Sequence, residues 1–214
     1  MIRPTRVVLV AGTGIGVGKT WLAARLLTHL RARGATTAAR KPAQSFDPGP
    51  EPTDADVLAG ATGEAPTTVC PAHRWYERAM APFMAAEVLG RPPPLLDELV
   101  DELDWPGPPA VDVGLIESAG GVRSPLTADG GDTVDLALRL DPDLVVLVAD
   151  AGLGTINAVR LCLDALAGFP TALLLNRFDP GDDLHRRNRS WLADNTGTPV
   201  LTEVTDLADI SLPG

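Results

Sequence analysis

Lys19 and Lys41 are the two lysines of a chain whose other basic side chains are all arginine. Lysine places a compact charge on a flexible stem, a different tool from the planar guanidinium fork. Lys19 stands in Gly12-Thr13-Gly14-Ile15-Gly16-Val17-Gly18-Lys19-Thr20, and Lys41 opens Lys41-Pro42-Ala43-Gln44-Ser45. Positions that keep lysine against an arginine bias are candidates for gripping phosphate or a substrate anion. Coding bias with a chance survivor accounts for Lys41 taken alone. It does not account for Lys19, whose glycine-rich neighbours spell a phosphate-binding loop. There, glycines let backbone N–H groups converge on phosphate, and the following helix adds its dipole. Lys19 is expected to reach the β- and γ-phosphates and Thr20 to hold Mg²⁺. The spacing departs once from the usual pattern, with Thr13 where a glycine five before Gly18 is customary. Gly14-Ile15-Gly16 also fits a dinucleotide turn, but the Gly-Lys-Thr ending decides against it.

Acidic and amide side chains fall at other element ends. Glu117 closes an apolar run and precedes Ser118-Ala119-Gly120-Gly121. A carboxylate there reaches Mg²⁺ as a Walker-B acid does, whereas a plain surface acid at a strand end has no need of the glycine pair behind it. Asp54 and Asp56 flank Ala55 at an expected helix start. Either supplies one more hard oxygen for Mg²⁺ or simply caps the helix. Asn176 ends another apolar run, where an amide either reads a nucleobase edge or caps a loop. Gly152-Leu153-Gly154-Thr155-Ile156-Asn157 opens a helix whose N–H groups suit a carboxylate, with ordinary capping by Thr155 or Asn157 as the plainer account. His29, His73 and His185 show no partner pattern, and the basic run His185–Arg189 reads as a solvated helix face.

The elements that must position these residues alternate. Strands are predicted at Arg6–Val10, Thr36–Ala43, Val111–Glu117, Leu144–Asp150, Thr171–Asn176 and Pro199–Val204. Helices are predicted at Lys19–Arg33, Asp54–Ala61, Met84–Gly90, Leu95–Leu103, Asn157–Ala167 and Asp182–Asp194. Leu22, Leu26 and Leu30 share one face of the first helix, and Gly34 is its natural stop. Nearly continuous apolar strands imply cover on both faces. The expected fold is therefore α/β: a doubly wound, mostly parallel sheet with helices on both faces, a Rossmann-like three-layer P-loop NTPase, with residues 1–214 as a single domain. Ligands in such sheets bind beyond the carboxyl ends of strands, where every motif above falls.

Composition narrows the partners. A net charge of −10 disfavours nucleic acid and anionic membrane. Apolar runs break within about seven residues, short of the ~20 a membrane helix needs. The N-terminus runs directly into a strand without a signal-peptide pattern, and Cys70 and Cys162 lack metal-ligand spacing, so a cytoplasmic, reduced setting is expected.

Taken in order, the phosphate loop to Thr20, Lys41-Pro42-Ala43-Gln44-Ser45, Thr53-Asp54-Ala55, Glu117-Ser118-Ala119-Gly120-Gly121, Gly154-Thr155-Ile156-Asn157 and Asn176 resemble the dethiobiotin synthetase family over nearly the whole chain. The resemblance implies an ATP- and Mg²⁺-dependent ligase of biotin biosynthesis, which closes a cyclic urea from 7,8-diaminononanoate and CO₂. It implies that Gly14, Ile15, Gly16, Val17, Gly18, Lys19, Thr20, Trp21, Asp54, Glu117, Ser118, Ala119, Gly120, Asn176, Arg177, Thr205, Asp206 and Leu207 contact the nucleotide. Thr20, Asp54 and Glu117 would bind the metal, and Lys19 and Lys41 would be catalytic. Lys41 and Ser45 would hold the carbamate, and Gly154, Thr155 and Asn157 the substrate carboxylate. A homodimer, with substrate sites near the subunit interface, is implied as well.

The chain departs from the family's pattern at Ile15, often Thr; at Phe46, where Gly follows the serine; at Ser118, usually Gly; at Arg177, frequently Asp; and near Thr205–Leu207, which lacks a usual Pro. The departures bear on nucleotide choice and on the diamine, so a member acting on another diamine is one alternative. A nucleotide-switch ATPase of the partitioning or division-site type is another, but its extra lysine at the loop start is missing here. A glutamine-dependent cobyrinate-type ligase needs an amidase domain for which 214 residues leave no room.

Overall fold

The computed structural model describes residues 2–212. Its strands are β1 (Arg6–Gly12), β2 (Thr37–Arg40), β3 (Gln44–Ser45), β4 (Trp75–Tyr76), β5 (Val113–Glu117), β6 (Leu144–Asp150), β7 (Thr171–Asn176) and β8 (Val200–Leu201). The helices are α1 (Lys19–Ala32), α2 (Asp54–Thr62), α3 (Pro66–Val69), α4 (Pro82–Val88), α5 (Leu96–Asp101), α6 (Thr133–Leu140), α7 (Thr155–Ala165), α8 (Asp183–Thr196) and α9 (Val204–Ser211), with a 3₁₀ turn at Ala72–Arg74. Six strands pair in the order β2-β5-β1-β6-β7-β8, all parallel. The expected three-layer α/β fold is what the chain adopts.

Alternation along β1 shows why both faces are apolar. Val7, Leu9 and Ala11 pack with Leu136, Val159 and Leu192 on one side. Val8 and Val10 pack with Leu22, Leu26, Leu30 and Leu207 on the other. Side chains alternate across a strand, so a strand buried on both faces has no polar position to spare. The predicted face of α1 is buried, widened by Ala23 and Leu27. Each fully buried leucine contributes about 1.5–3 kcal/mol.

Several boundaries differ from expectation. β2 stops at Arg40 instead of Ala43: the Lys41 N–H turns to the Val69 carbonyl at 2.8 Å, and Pro42 has no N–H to continue a ladder. That exit frees Lys41 to point into the site. The expected strand Pro199–Val204 shrinks to Val200–Leu201, because Val204 already opens α9, whose Leu207 and Ala208 are buried against the core. α6 was not expected, although Asp132 caps it by accepting from the Val134 and Asp135 N–H groups at 2.7 and 3.2 Å. A short parallel pair, β3 with β4, was also unforeseen; it seats Gln44 opposite Trp75 and Ser45 opposite Tyr76.

Candidate functional site

The loop between β1 and α1 lies beside the carboxyl ends of β5 and β6, the neighbours of β1 on either side. Gly18 is the N-cap of α1 at φ 95°, without a side-chain cap bond. A Cβ at Gly18 would stand 2.1 Å from Asn176 Nδ2, so only glycine fits. Lys19 and Thr20 form the first turn. The Lys19 ammonium is nearly buried and donates to the Gly14 carbonyl at 2.9 Å. Burial first, then the Lys41 charge, holds it below its ordinary value.

Thr20, Lys41, Asp54 and Glu117 converge from four elements. Thr20 Oγ1 stands 2.8 Å from Asp54 Oδ1 and 2.9 Å from Glu117 Oε1. Lys41 Nζ stands 2.6 Å from both Asp54 Oδ2 and Glu117 Oε1. Burial pulls the Lys41 ammonium down, but the two carboxylates outweigh it, and the net shift is upward. Burial likewise pushes Glu117 up, against the pull of Lys41. Two acids face this one lysine, which favours its charged ammonium.

The choice between Asp54 and Asp56 is geometric. Asp56 Oδ2 accepts from the Thr53 N–H at 2.8 Å, while its own N–H donates to Thr53 Oγ1 at 3.3 Å. That reciprocal capping box commits Asp56 to the start of α2. Asp54 faces Thr20 and Lys41.

A cavity of about 500 Å³ opens over this cluster, lined by Lys19, Lys41, Ser45, Asp54 and Glu117 with apolar walls that include Met80 and Pro82. Ile15, Gly16, Gly18, Thr20, Trp21, Ala119 and Gly120 line it too. Ser45 donates to the Met80 carbonyl at 2.6 Å. Phe46 turns away from the cavity to meet the Trp75 ring edge-on, centroids 6.3 Å apart. Gln44 accepts from the Ala55 N–H at 3.0 Å and fixes β3 to the start of α2.

A second cavity of about 770 Å³ adjoins it, reached past Gly18 and Trp21 and lined by Asn176, Arg177 and Thr205. Asn176 Nδ2 donates to the Val17 carbonyl at 2.9 Å, and its Oδ1 accepts from the Arg177 N–H at 3.0 Å. Arg25, Thr28, His29, Thr202, Glu203 and Val204 also line this cavity and were missed. Trp21, Arg25, Thr28, His29 and Ala32 recur at helical spacing on the face of α1 opposite its leucines, so a search for polar periodicity would have found them.

Some expected residues are not gathered here. Leu207 is buried in the core, and Asp206 is exposed on α9; neither lines a cavity. The expected nucleotide-contacting segment Thr205–Leu207 thus reaches the second cavity only through Thr205, because the helix turns its next residues elsewhere. Ser118 is buried with an unpartnered hydroxyl and lines neither cavity. Gly14 and Val17 offer only backbone, their carbonyls holding Lys19 and Asn176. Gly154 caps α7 at φ 90°, with no side-chain cap. Gly154, Thr155 and Asn157 line neither cavity within one chain. The plainer account of them, capping by Thr155 or Asn157, is not what the structure has.

The donors at Thr20, Asp54 and Glu117 suit Mg²⁺. All are hard oxygens, and the buried Glu117 Oε2 has no hydrogen-bond partner. Among the described residues no group of three or more His, Cys, Asp or Glu is placed to hold a metal ion. No helix of the described residues is long and apolar enough to cross a membrane.

The chain matches a family described as an AAA domain over residues 6–213. It is 38% identical over 206 residues to the ATP-dependent dethiobiotin synthetase BioD of Haloferax mediterranei, covering 90% of this chain and 81% of that one. It is 37% identical over 217 residues to the protein of that name from Mycobacteroides abscessus, covering 97% and 90%. Among solved structures it is similar to the signal recognition particle receptor FtsY of Elizabethkingia anophelis, with TM-score 0.56, 16% identity, and 97% of this chain and 65% of that one covered. It is also similar to a plasmid partition protein of Borrelia burgdorferi B31 bound to AMPPNP, with TM-score 0.51, 15% identity, and 96% and 90% covered. These two likenesses show the fold alone. The identities to curated relatives over most of both lengths show more: the chain belongs to the ATP-dependent dethiobiotin synthetase family.

Proposed function

We propose that this protein closes the cyclic urea of dethiobiotin from 7,8-diaminononanoate, CO₂ and ATP, as its relatives' name implies. One amine of the diamine adds to CO₂ to give a carbamate. The carbamate oxygen takes the γ-phosphoryl group from ATP. The second amine then attacks the carbamate carbon, phosphate leaves, and the ring closes. None of these steps needs a covalent enzyme nucleophile; they need anions held close and in line.

The observation that carries this reading is Lys41, buried beside the phosphate loop and held by Asp54 and Glu117 at 2.6 Å each. A carbamate and a terminal phosphate repel when brought together. Two unit charges at 4 Å do so by about 4 kcal/mol at an effective dielectric near 20. Lys41 supplies the intervening cation and keeps its charge, since Glu117 and Asp54 favour the ammonium. Lys19 exchanges the Gly14 carbonyl for phosphate oxygens, and Ser45 orients the carbamate from the facing wall. Thr20, Asp54 and Glu117 would hold Mg²⁺, which supplies charge neutralisation on the phosphates. Asn176, Arg177 and Thr205 border the adjoining cavity, where the base is placed.

The carboxylate end of the diamine is assigned to the start of α7. That segment lies outside the chain's own cavities, and Leu153 beside it is 92% exposed, as Ile15 on the phosphate loop is 89% exposed. Both fit a homodimer in which the α7 start of one copy borders the cavity of the other.

Purified protein given ATP, Mg²⁺, bicarbonate and 7,8-diaminononanoate should release phosphate and form dethiobiotin in equal amounts. Phosphate release that does not respond to the diamine overturns the reading.

A further inference from the structure

Three carbonyls of the phosphate loop are held by side-chain donors. Gly14 O accepts from Lys19 Nζ at 2.9 Å, Gly16 O from Arg177 Nη2 at 2.8 Å, and Val17 O from Asn176 Nδ2 at 2.9 Å. In a trans peptide the C=O and the N–H that follows it point in opposite directions. Holding the Gly16 and Val17 carbonyls toward β7 therefore turns the Val17 and Gly18 N–H groups away from it, into the concavity that takes phosphate. Among the described residues, no N–H from Gly14 to Gly18 donates to another protein group.

Arg177 is an unusual residue for this task. Its φ is +55°, a region that non-glycine residues seldom occupy. Its N–H is taken by Asn176 Oδ1, and its guanidinium reaches Asp150 Oδ2 through Nη1 at 2.8 Å while Nη2 holds Gly16 O. Asp150 is fixed in turn, since its Oδ1 accepts from the Gly152 N–H at 2.9 Å. One planar fork thus spans the end of β6 and the phosphate loop, a two-point geometry an ammonium does not reproduce.

We infer that Arg177, anchored on Asp150, is a positioning residue that holds the Gly16 carbonyl out of the phosphate nest and so presets the loop for the triphosphate. The inference rests on the nucleotide part of the proposed function and not on the identity of the diamine. It gives Arg177 a role through the loop backbone, distinct from contact with the base.

The test is calorimetric affinity for ATP and for inorganic tripolyphosphate. Arg177→Gly keeps the left-handed backbone, which glycine adopts freely, and deletes the fork. The lost ion pair is exposed, 59% for Arg177 and 46% for Asp150, so thermal stability should change little. The expected result is a loss of about tenfold in affinity for both ligands by the same factor, at unchanged Tm. Arg177→Lys should not restore it, and Asp150→Ala should add nothing in the Arg177→Gly background. Wild-type tripolyphosphate affinity in Arg177→Gly overturns the inference, as does loss for ATP alone, which would mean direct base or ribose contact. Full rescue by Arg177→Lys also overturns it, because charge alone would then suffice. A wild-type protein that binds ATP but forms no dethiobiotin defeats the proposed function and leaves this inference standing. One that binds neither ligand defeats both.

Discussion

Lys41 Nζ lies 2.6 Å from Glu117 Oε1, and both side chains are closed off from solvent. Such a pair is expensive to desolvate, and removing one partner strands the other. Here a second acid, Asp54, also reaches the Lys41 ammonium at 2.6 Å, so the lysine is held between two carboxylates.

Lys41→Arg tests whether this site needs a point charge. A guanidinium is wider than the ammonium it replaces and is forced between two carboxylates at 2.6 Å. ATP affinity should stay within a few-fold of wild type, while diamine-dependent phosphate release falls about a hundredfold or more, a barrier change of ~2.7 kcal/mol. Calorimetry beside a phosphate assay measures both. Ring closure near the wild-type rate would reduce Lys41 to a generic positive charge.

Lys19→Ala should abolish nucleotide turnover in a folded protein. The Lys19 ammonium donates to its own loop at Gly14 and the side chain is no part of the apolar core, so the core should survive its loss. Circular dichroism and steady-state turnover together decide this. Retained turnover would mean that the loop does not grip the triphosphate.

Asp54→Asn and Asp56→Asn should separate cleanly. Asp54 faces Thr20 and Lys41, and its loss should raise the Mg²⁺ concentration needed for half-maximal turnover by about tenfold. Asp56 closes the capping box of α2, so its loss should cost about 1 kcal/mol of stability and leave the Mg²⁺ requirement alone. Metal titrations and thermal melts on both variants check this; the reverse pattern would exchange their roles.

Acidification should weaken the fold through Asp54. Burial pushes this carboxyl up, but Lys41, its hydrogen bond and that of Thr20 outweigh burial and hold it below the ordinary 3.8. A depressed acid contributes stability that is present above its unfolded value and lost as pH falls through its folded one. Lys41 carries the opposite sign: raised above 10.5, its contribution is full below that pH and is lost only in strong alkali. Glu117, pushed up by burial, opposes Asp54, since its own contribution falls as pH rises through its raised value. The Tm gap between wild type and Asp54→Asn should therefore be widest near neutrality and close below about pH 4. A gap that is constant from pH 3 to 7 would contradict the ion pair.

Homodimer formation is expected to depend on the exposed apolar side chain beside α7. Leu153→Asp should shift the molecular mass in light scattering toward that of one chain and lower ring-closure activity with it. A monomeric wild type with full activity would remove the dimer from the proposal.

The local chemistry and the longer elements around the phosphate loop are written into short stretches of the chain. Gly18-Lys19-Thr20 at a strand-to-helix turn, Glu117 at a strand end and the leucine face of α1 are local patterns, legible because backbone geometry and periodicity are short-range. β6 and β7 were legible to the residue, being long, apolar and bounded by turns. Tertiary structure decided the rest. The order β2-β5-β1-β6-β7-β8 has no local signature, yet it is what sets Glu117 beside the phosphate loop. Asp54 and Asp56 look equivalent in sequence, and only the capping box, with Lys41 turning in from the end of β2, separates them. Leu207 is buried because the apolar residues of α9 turn toward α1, a packing choice no single segment carries. The Arg177 bridge to Gly16 spans 161 positions, and such contacts exist only once the chain has closed on itself.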